Sequence, residues 1–434
     1  MNPSASAIAI ATALMLTANV AVADELSAEI RTAAQALQAR VIGWRRDIHQ
    51  HPELSNREFR TSRLVAEHLE SLGLEVTVGV AHTGVVGVLK GARPGPVVAL
   101  RADMDGLPVT ERTGLEYAST ERGTYNGLDV GIMHACGHDN HVAILMGTAS
   151  LLSGMRDELS GTVKFVFQPA EEGAPKGEEG GAKMMIQQGV LKNPTVDAIF
   201  GLHISQSDAV GRASYRTKGA LASAQRFEIT VKGRQTHAAQ PWAGVDPVVV
   251  GAYIVTALQT IVSRQVDITN APAVISVGTF HGGVRNNIVP DSVRMEGTIR
   301  TFDADMRVDI HARIKRIAEA IAESMGATAV VEIDAGVPVT YNDPGLAEAM
   351  LPTLHKVYGR DGVRFAKLIT GAEDFAFYQE EVPGFFFLIG GRPKNVSAEQ
   401  AIPNHSPLFT VDEGALVLGV EVMSQLAVDY LDQH

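Results

Sequence analysis

The chain is poor in cysteine: Cys136 is its only one in 434 residues. An internal disulfide is therefore excluded, and any role for the thiol is in ligation or chemistry rather than cross-linking. Positive charge is scarce as well. The 37 Lys and Arg are outnumbered by 49 Asp and Glu, for a formal net charge of −12. That argues against nucleic acid or an anionic membrane as the main partner, though a local basic pocket for a small substrate is still allowed. Beyond an amino-terminal run, no stretch reads as long and apolar enough to span a bilayer. Internal repeats and low-complexity segments are lacking too. What is there is ordinary: 45% apolar and 20% charged residues, as in a globular protein, and enough length for two or three domains.

The amino-terminal run covers Ala5 to Ala23, with Met15 and Leu16 at its centre. It ends in Ala21-Val22-Ala23 before Asp24-Glu25, the small-residue pattern of a signal-peptidase site. Residues 1–23 are expected to be a signal peptide cleaved after Ala23, giving a periplasmic or secreted protein with no stable membrane association afterwards. No Lys or Arg precedes the run, so only the terminal amine supplies positive charge. The alternative is an uncleaved helical anchor. A metal-bound thiolate would explain how a lone thiol survives in an oxidising compartment.

Chemistry concentrates in Met133-His134-Ala135-Cys136-Gly137-His138-Asp139-Asn140-His141, followed by the apolar Val142 to Met146 and Ala149 to Leu152. Thiolate and imidazole bind borderline-soft divalent metals. Cys136 and His138 would diverge on a helix but project the same way from an extended segment. They are therefore placed in a loop, eased by Gly137, where a strand ends and a helix begins. A helix N-terminus there would favour the thiolate. The plainer reading is a buried cysteine beside surface histidines.

Upstream, Leu26 to Trp44 carries apolar residues at helical spacing, and Arg46 to Ser55 reads as a polar turn in which His49 and His51 are turn and capping groups. The short apolar strand Val97 to Leu100 leads into Asp103 and Asp105. Carboxylates two apart at that strand end project together into the usual crevice of an open α/β sheet. They either support a metal site from behind its ligands or cap the loop. Strand Gly161 to Phe167 runs into Glu171-Glu172, which would repel each other without a cation between them. A further strand, Val196 to Phe200, ends near His203. From about Leu221 the order strand–helix–strand–strand–helix–strand, βαββαβ, is the ferredoxin-like pattern. It marks residues 221–336 as an inserted domain, leaving 24–220 and 337–434 for the other.

Several motifs occur in order: Asp47-Ile48-His49 with His51-Pro52-Glu53, Arg101 to Asp105, His134 to Asp139, Gln168 to Gly173, Gly201-Leu202-His203 and Gly371 to Phe375. From about Ile42 to the end, the chain resembles the metal-dependent N-acyl-amino-acid amidohydrolases of the aminoacylase and carboxypeptidase superfamily, in the branch with hippurate and auxin-conjugate hydrolases. The resemblance implies an α/β, two-domain protein, a mixed-sheet α/β/α metallohydrolase domain with a ferredoxin-like lid and dimerisation domain inserted. It implies two divalent metal ions held by Cys136, His138, Glu172, His203 and His405, zinc first, with manganese, cobalt and nickel as alternatives. Glu171 would be the general base. His237 would reach the partner subunit's site and steady the oxyanion, in a homodimer or higher homo-oligomer. Asn287 and Arg300 would bind the substrate's free carboxylate, although Arg300 could equally make a salt bridge on its strand. The expected reaction is hydrolysis of the amide bond of N-acyl-L-amino acids, hippurate-like or N-acetyl. A dipeptidase or carboxypeptidase using the same centre is the alternative, and a non-catalytic periplasmic binding protein is the reading from another class.

Overall fold

In the computed structural model, residues 3–434 are described, with side chains from Glu25 onward. The signal peptide expected over residues 1–23 therefore falls outside the residues described with side chains. The chain forms two compact units. The first takes the chain up to Tyr215, then Asp343–Ala366 and Tyr378–His434; the second takes Arg216–Asn342 and Lys367–Phe377. The sequence boundaries were 221–336, without the return strip at 367–377. That strip is recruited by backbone pairing, since Ala222 N–H donates to the carbonyls of Ile369 and Gly371.

An eight-stranded mixed sheet organises the first unit, in the order 75–80, 84–90, 160–168, 93–103, 198–209, 384–392, 213–215, 363–365. Its centre is parallel: Arg93–Asp103 pairs in parallel with Ser160–Gln168 and Ala198–Ala209, and Gly384–Arg392 with Ala198–Ala209. These strands are near-continuous apolar runs because helices cover both faces. Asp103 stands level with Gln168, and Arg101 with Gly201. The register thus sets the 103, 168 and 203 regions along one edge.

Helix His138–Gly154 is buried almost all round, as its uninterrupted apolar sequence requires. Gly137 caps it at φ +107°, and a Cβ there would sit 2.5 Å from Ile204 Cγ2. Only glycine meets both demands. Helix Pro3–Gln50 runs six residues past the expected end at Trp44. His49 therefore sits in its last turn, fully buried, and the turn-and-cap reading is corrected. Two helices also correct the expectation that no other segment could span a bilayer: Pro247–Gln265 and Gly414–Gln433 pass by length and composition. The second is a core helix of the first unit, burying Leu416, Val420, Met423 and Leu426 among others. The first buries one face only, on Val250, Ile254 and Leu258.

In the second unit, the antiparallel sheet runs Ala273–Gly282, Ser292–Thr301, Gln225–Lys232, Thr328–Ile333, with helices Pro247–Thr260 and Ala304–Ser324. Chain order and sheet order together are ferredoxin-like. Both helices start on an aspartate: Asp246 accepts from Val248 and Val249 N–H, and Asp303 from Met306 N–H.

Candidate active site

All five expected metal-binding side chains and the expected base lie in the first unit and converge. Cys136 Sγ is 3.2 Å from His203 Nε2 and 3.2 Å from His405 Nε2. His405 Nε2 is also 3.2 Å from Glu172 Oε1. Cys136, His138 and His203 form one group of ligand atoms within 4.8 Å of each other; Cys136, Glu172 and His405 form a second; His138, Glu171 and Glu172 form a third. The shared members link the three groups into one donor cluster.

Each donor is placed by local backbone. The loop before helix His138–Gly154 carries Cys136, and His405, at φ +69°, is tied to it because His405 N–H donates to the Ala135 carbonyl at 2.7 Å. Asn404 Nδ2 donates to the carbonyls of Cys136 and Ile204 at 2.6 and 3.2 Å. Glu171 and Glu172 stand in a turn after strand Ser160–Gln168, not on the strand itself.

The ring orientations can be read from their partners. His138 Nδ1 is 2.9 Å from the Asp105 carbonyl and 3.2 Å from its Oδ1, so that nitrogen carries a proton and Nε2 is the one left to meet a cation. His203 Nδ1 donates to the Ile204 carbonyl at 2.7 Å, turning Nε2 to Cys136. Two further histidines, one left without a role by the sequence and one read there as a turn group, are tied to buried carboxylates. His141 accepts the Ile204 N–H at Nε2, at 2.9 Å, and donates from Nδ1 to Asp103 Oδ1 at 2.6 Å. His49 Nδ1 meets Asp139 Oδ2 at 2.9 Å, beside the Arg45–Asp139 ion pair at 2.8 Å. Histidines in those motifs were visible; which carboxylate each meets was not.

Electrostatics favour a cation. Burial alone would raise Asp103, but His138, Arg101 and His141 hold its pKa well below the carboxylate range. Burial opposes charge on His138, yet Asp103 and Asp105 push it up to about 10. Burial, then Glu172, Glu171 and Asp103, raises the Cys136 thiol well above its ordinary value. The helix N-terminus thus does not by itself give a thiolate, as the sequence reading expected; a cation amid these carboxylates would. The donors fit such an ion: His138 Nε2 is buried and has no hydrogen-bond partner among the described residues, which is costly unless a cation or a donor meets it. A soft thiolate, three imidazoles and carboxylates suit a borderline divalent metal.

The three residues expected to meet the substrate, His237, Asn287 and Arg300, lie in the second unit. His237 and Asn287 are exposed and neighbouring, since Ala238 N–H donates to the Asn287 carbonyl at 3.0 Å. Arg300 is half-buried on strand Ser292–Thr301, opposite Val274.

Residues 99–429 match the family model described as peptidase family M20/M25/M40. Thermostable carboxypeptidase 1 of Saccharolobus solfataricus is 40% identical over 408 residues, covering 94% of this chain and 99% of the relative. The N-acetylcysteine deacetylase of Bacillus subtilis is 39% identical over 401 residues, 92% of this chain and 99% of the relative. Among solved structures, the YXEP protein of Bacillus subtilis, a dinuclear metal binding peptidase from M20 family, superposes with a TM-score of 0.78 at 37% identity, covering 92% of this chain and 100% of that one.

Proposed function

Because the chain belongs to peptidase family M20/M25/M40, we propose that it hydrolyses the amide bond of N-acyl-L-amino acids, releasing a carboxylic acid and a free amino acid. The observation that carries this reading is the position of Glu171, a second carboxylate next to Glu172 in the donor cluster, 3.7 Å from His138 Nε2. A protein that only captures ligand has no use for it.

Cys136, His138, Glu172, His203 and His405 would hold two divalent metals, zinc first and manganese, cobalt or nickel as alternatives. Bound there, such ions lower the pKa of water towards roughly 7 and polarise a carbonyl. Glu171 takes a proton from the attacking water and hands it to the departing amine. Asp105 holds His138, and Asp103 holds His141, so that the rings keep their tautomers. By family likeness, His237 is assigned to the oxyanion, and Asn287 and Arg300 to the substrate carboxylate.

Glu171→Gln is expected to lower kcat by at least about a thousandfold with metal content unchanged; a variant hydrolysing at the parent rate would overturn the mechanism. Chelation is expected to remove activity and added divalent metal to restore it, which a spectrophotometric hydrolysis assay reads directly. The carboxypeptidase reading draws support from the name of one relative. A panel of N-acetyl amino acids, N-benzoyl amino acids and dipeptides separates the two. We also propose export with cleavage after Ala23, on the small-residue pattern there, and a homodimer or higher oligomer through the second unit, whose helix Pro247–Thr260 exposes Val248, Val249 and Tyr253.

A further inference from the structure

Glu58 is fully buried at the start of helix Phe59–Ser71, and nothing in the chemistry above uses it. One carboxyl oxygen accepts the Ala170 N–H at 2.9 Å; the other lies 2.5 Å from Thr83 Oγ1. Beside it, Asp105 accepts the Glu171 and Glu172 N–H groups at 3.1 and 3.0 Å. Three successive backbone donors, 170 to 172, thus end on two carboxyl groups brought from other segments. Strand pairing stops at Gln168, so these acceptors do for the turn what a neighbouring strand does before it.

Ala170 adopts φ +53°. That left-handed conformation is disfavoured for a residue with a Cβ and turns consecutive N–H groups to one side, where an anion or a carbonyl can collect them. Without an acceptor, the Ala170 peptide is free to relax, and the next side chain moves with it. We propose that Glu58 is a positioning residue: by accepting the Ala170 N–H it fixes the peptide that aims Glu171 at the attacking water. The proposal rests on the reading of Glu171 as the base. Asp105 cannot be tested alone in this way because it also holds His138. Glu58 hydrogen-bonds no metal-binding side chain, so its effect is separable.

Burial, and then the neighbouring Asp105 charge, push the Glu58 pKa up to about 8. At neutral pH the group is therefore mainly the uncharged acid. Glutamine keeps the carbonyl acceptor for Ala170, and where the carboxyl oxygen accepts from Thr83 its amide N–H can donate to the same hydroxyl, which turns to accept. Methionine keeps the volume and loses both.

The experiment compares Glu58→Met and Glu58→Gln in the metal-loaded full-length enzyme, at a temperature where circular dichroism shows both folded. Glu58→Met is expected to lose about tenfold or more in kcat, with KM within about twofold and metal content unchanged. Glu58→Gln is expected to stay near the parent in all three. Amide hydrogen exchange at 170–172 is expected to quicken in the Met variant only. A Met variant with parent kcat, equal losses in both variants, or a loss matched by lost metal overturns the proposal. Should the parent hydrolyse no N-acyl amino acid, the functional reading fails by itself, and unchanged exchange at 170–172 in the Met variant still decides against Glu58.

Discussion

Next in sequence to the donor His138, Asp139 is a buried charge neutralised by other buried groups. It pairs with Arg45 at 2.8 Å and with His49 at 2.9 Å, all three with almost no exposed side chain. Burial would raise its pKa, but Arg45 and His49 hold it far below the ordinary 3.8. Its contribution to stability is thus present above that value and is lost as pH falls towards the folded one. Burial opposes protonation of His49, but Asp139 and Glu111 raise its pKa above 6.5. The His49 contribution is complete below 6.5 and fades as pH climbs through the raised value. Stability from the network therefore peaks between these two limits. Asp139→Asn leaves Arg45 buried without its main partner, and a loss of about 3–5 kcal/mol is expected near pH 5–6. Urea midpoints across pH should show the acid limb flattened in the variant.

At the scale of elements, the approach to helix His138–Gly154 is held by Gly137 and by the 404–405 segment. Gly137→Ala meets Ile204 Cγ2 at 2.5 Å and a φ of +107°. It should destabilise by roughly 2 kcal/mol or more and lower metal affinity, as calorimetric titration would read. Much of this element order was legible. The apolar run after His138 could only be a buried helix, and βαββαβ emerged from alternating texture between residues 225 and 333. Adjacent ligand types, Cys136 with His138 and Glu171 with Glu172, announced themselves by spacing. The helix through Gln50 did not, because Arg45 and His49 look like the start of a polar loop until Asp139, some ninety positions later, is there to receive them. Glu58 and His141 were illegible for the same reason: each gains its meaning from a carboxyl or amide far away in the chain.

For the whole molecule, the exposed side of helix Pro247–Thr260 is the feature that calls for a test. Tyr253 is 57% exposed and Val249 48%, more apolar surface than one helix normally leaves to water. Tyr253→Glu is expected to shift the protein to a smaller species in sedimentation velocity, whereas a parent that is already monomeric would end the oligomer proposal.

The first unit also closes late. His405 belongs to the last of its three chain segments, and it is what completes the group with Cys136 and Glu172. While the polypeptide is being synthesised, the thiol must wait for nearly the entire sequence before that imidazole can reach it. Chains released before residue 405 would carry an oxidisable sulfur with an incomplete set of neighbours, so prematurely terminated products should be the ones that chaperones and proteases meet first.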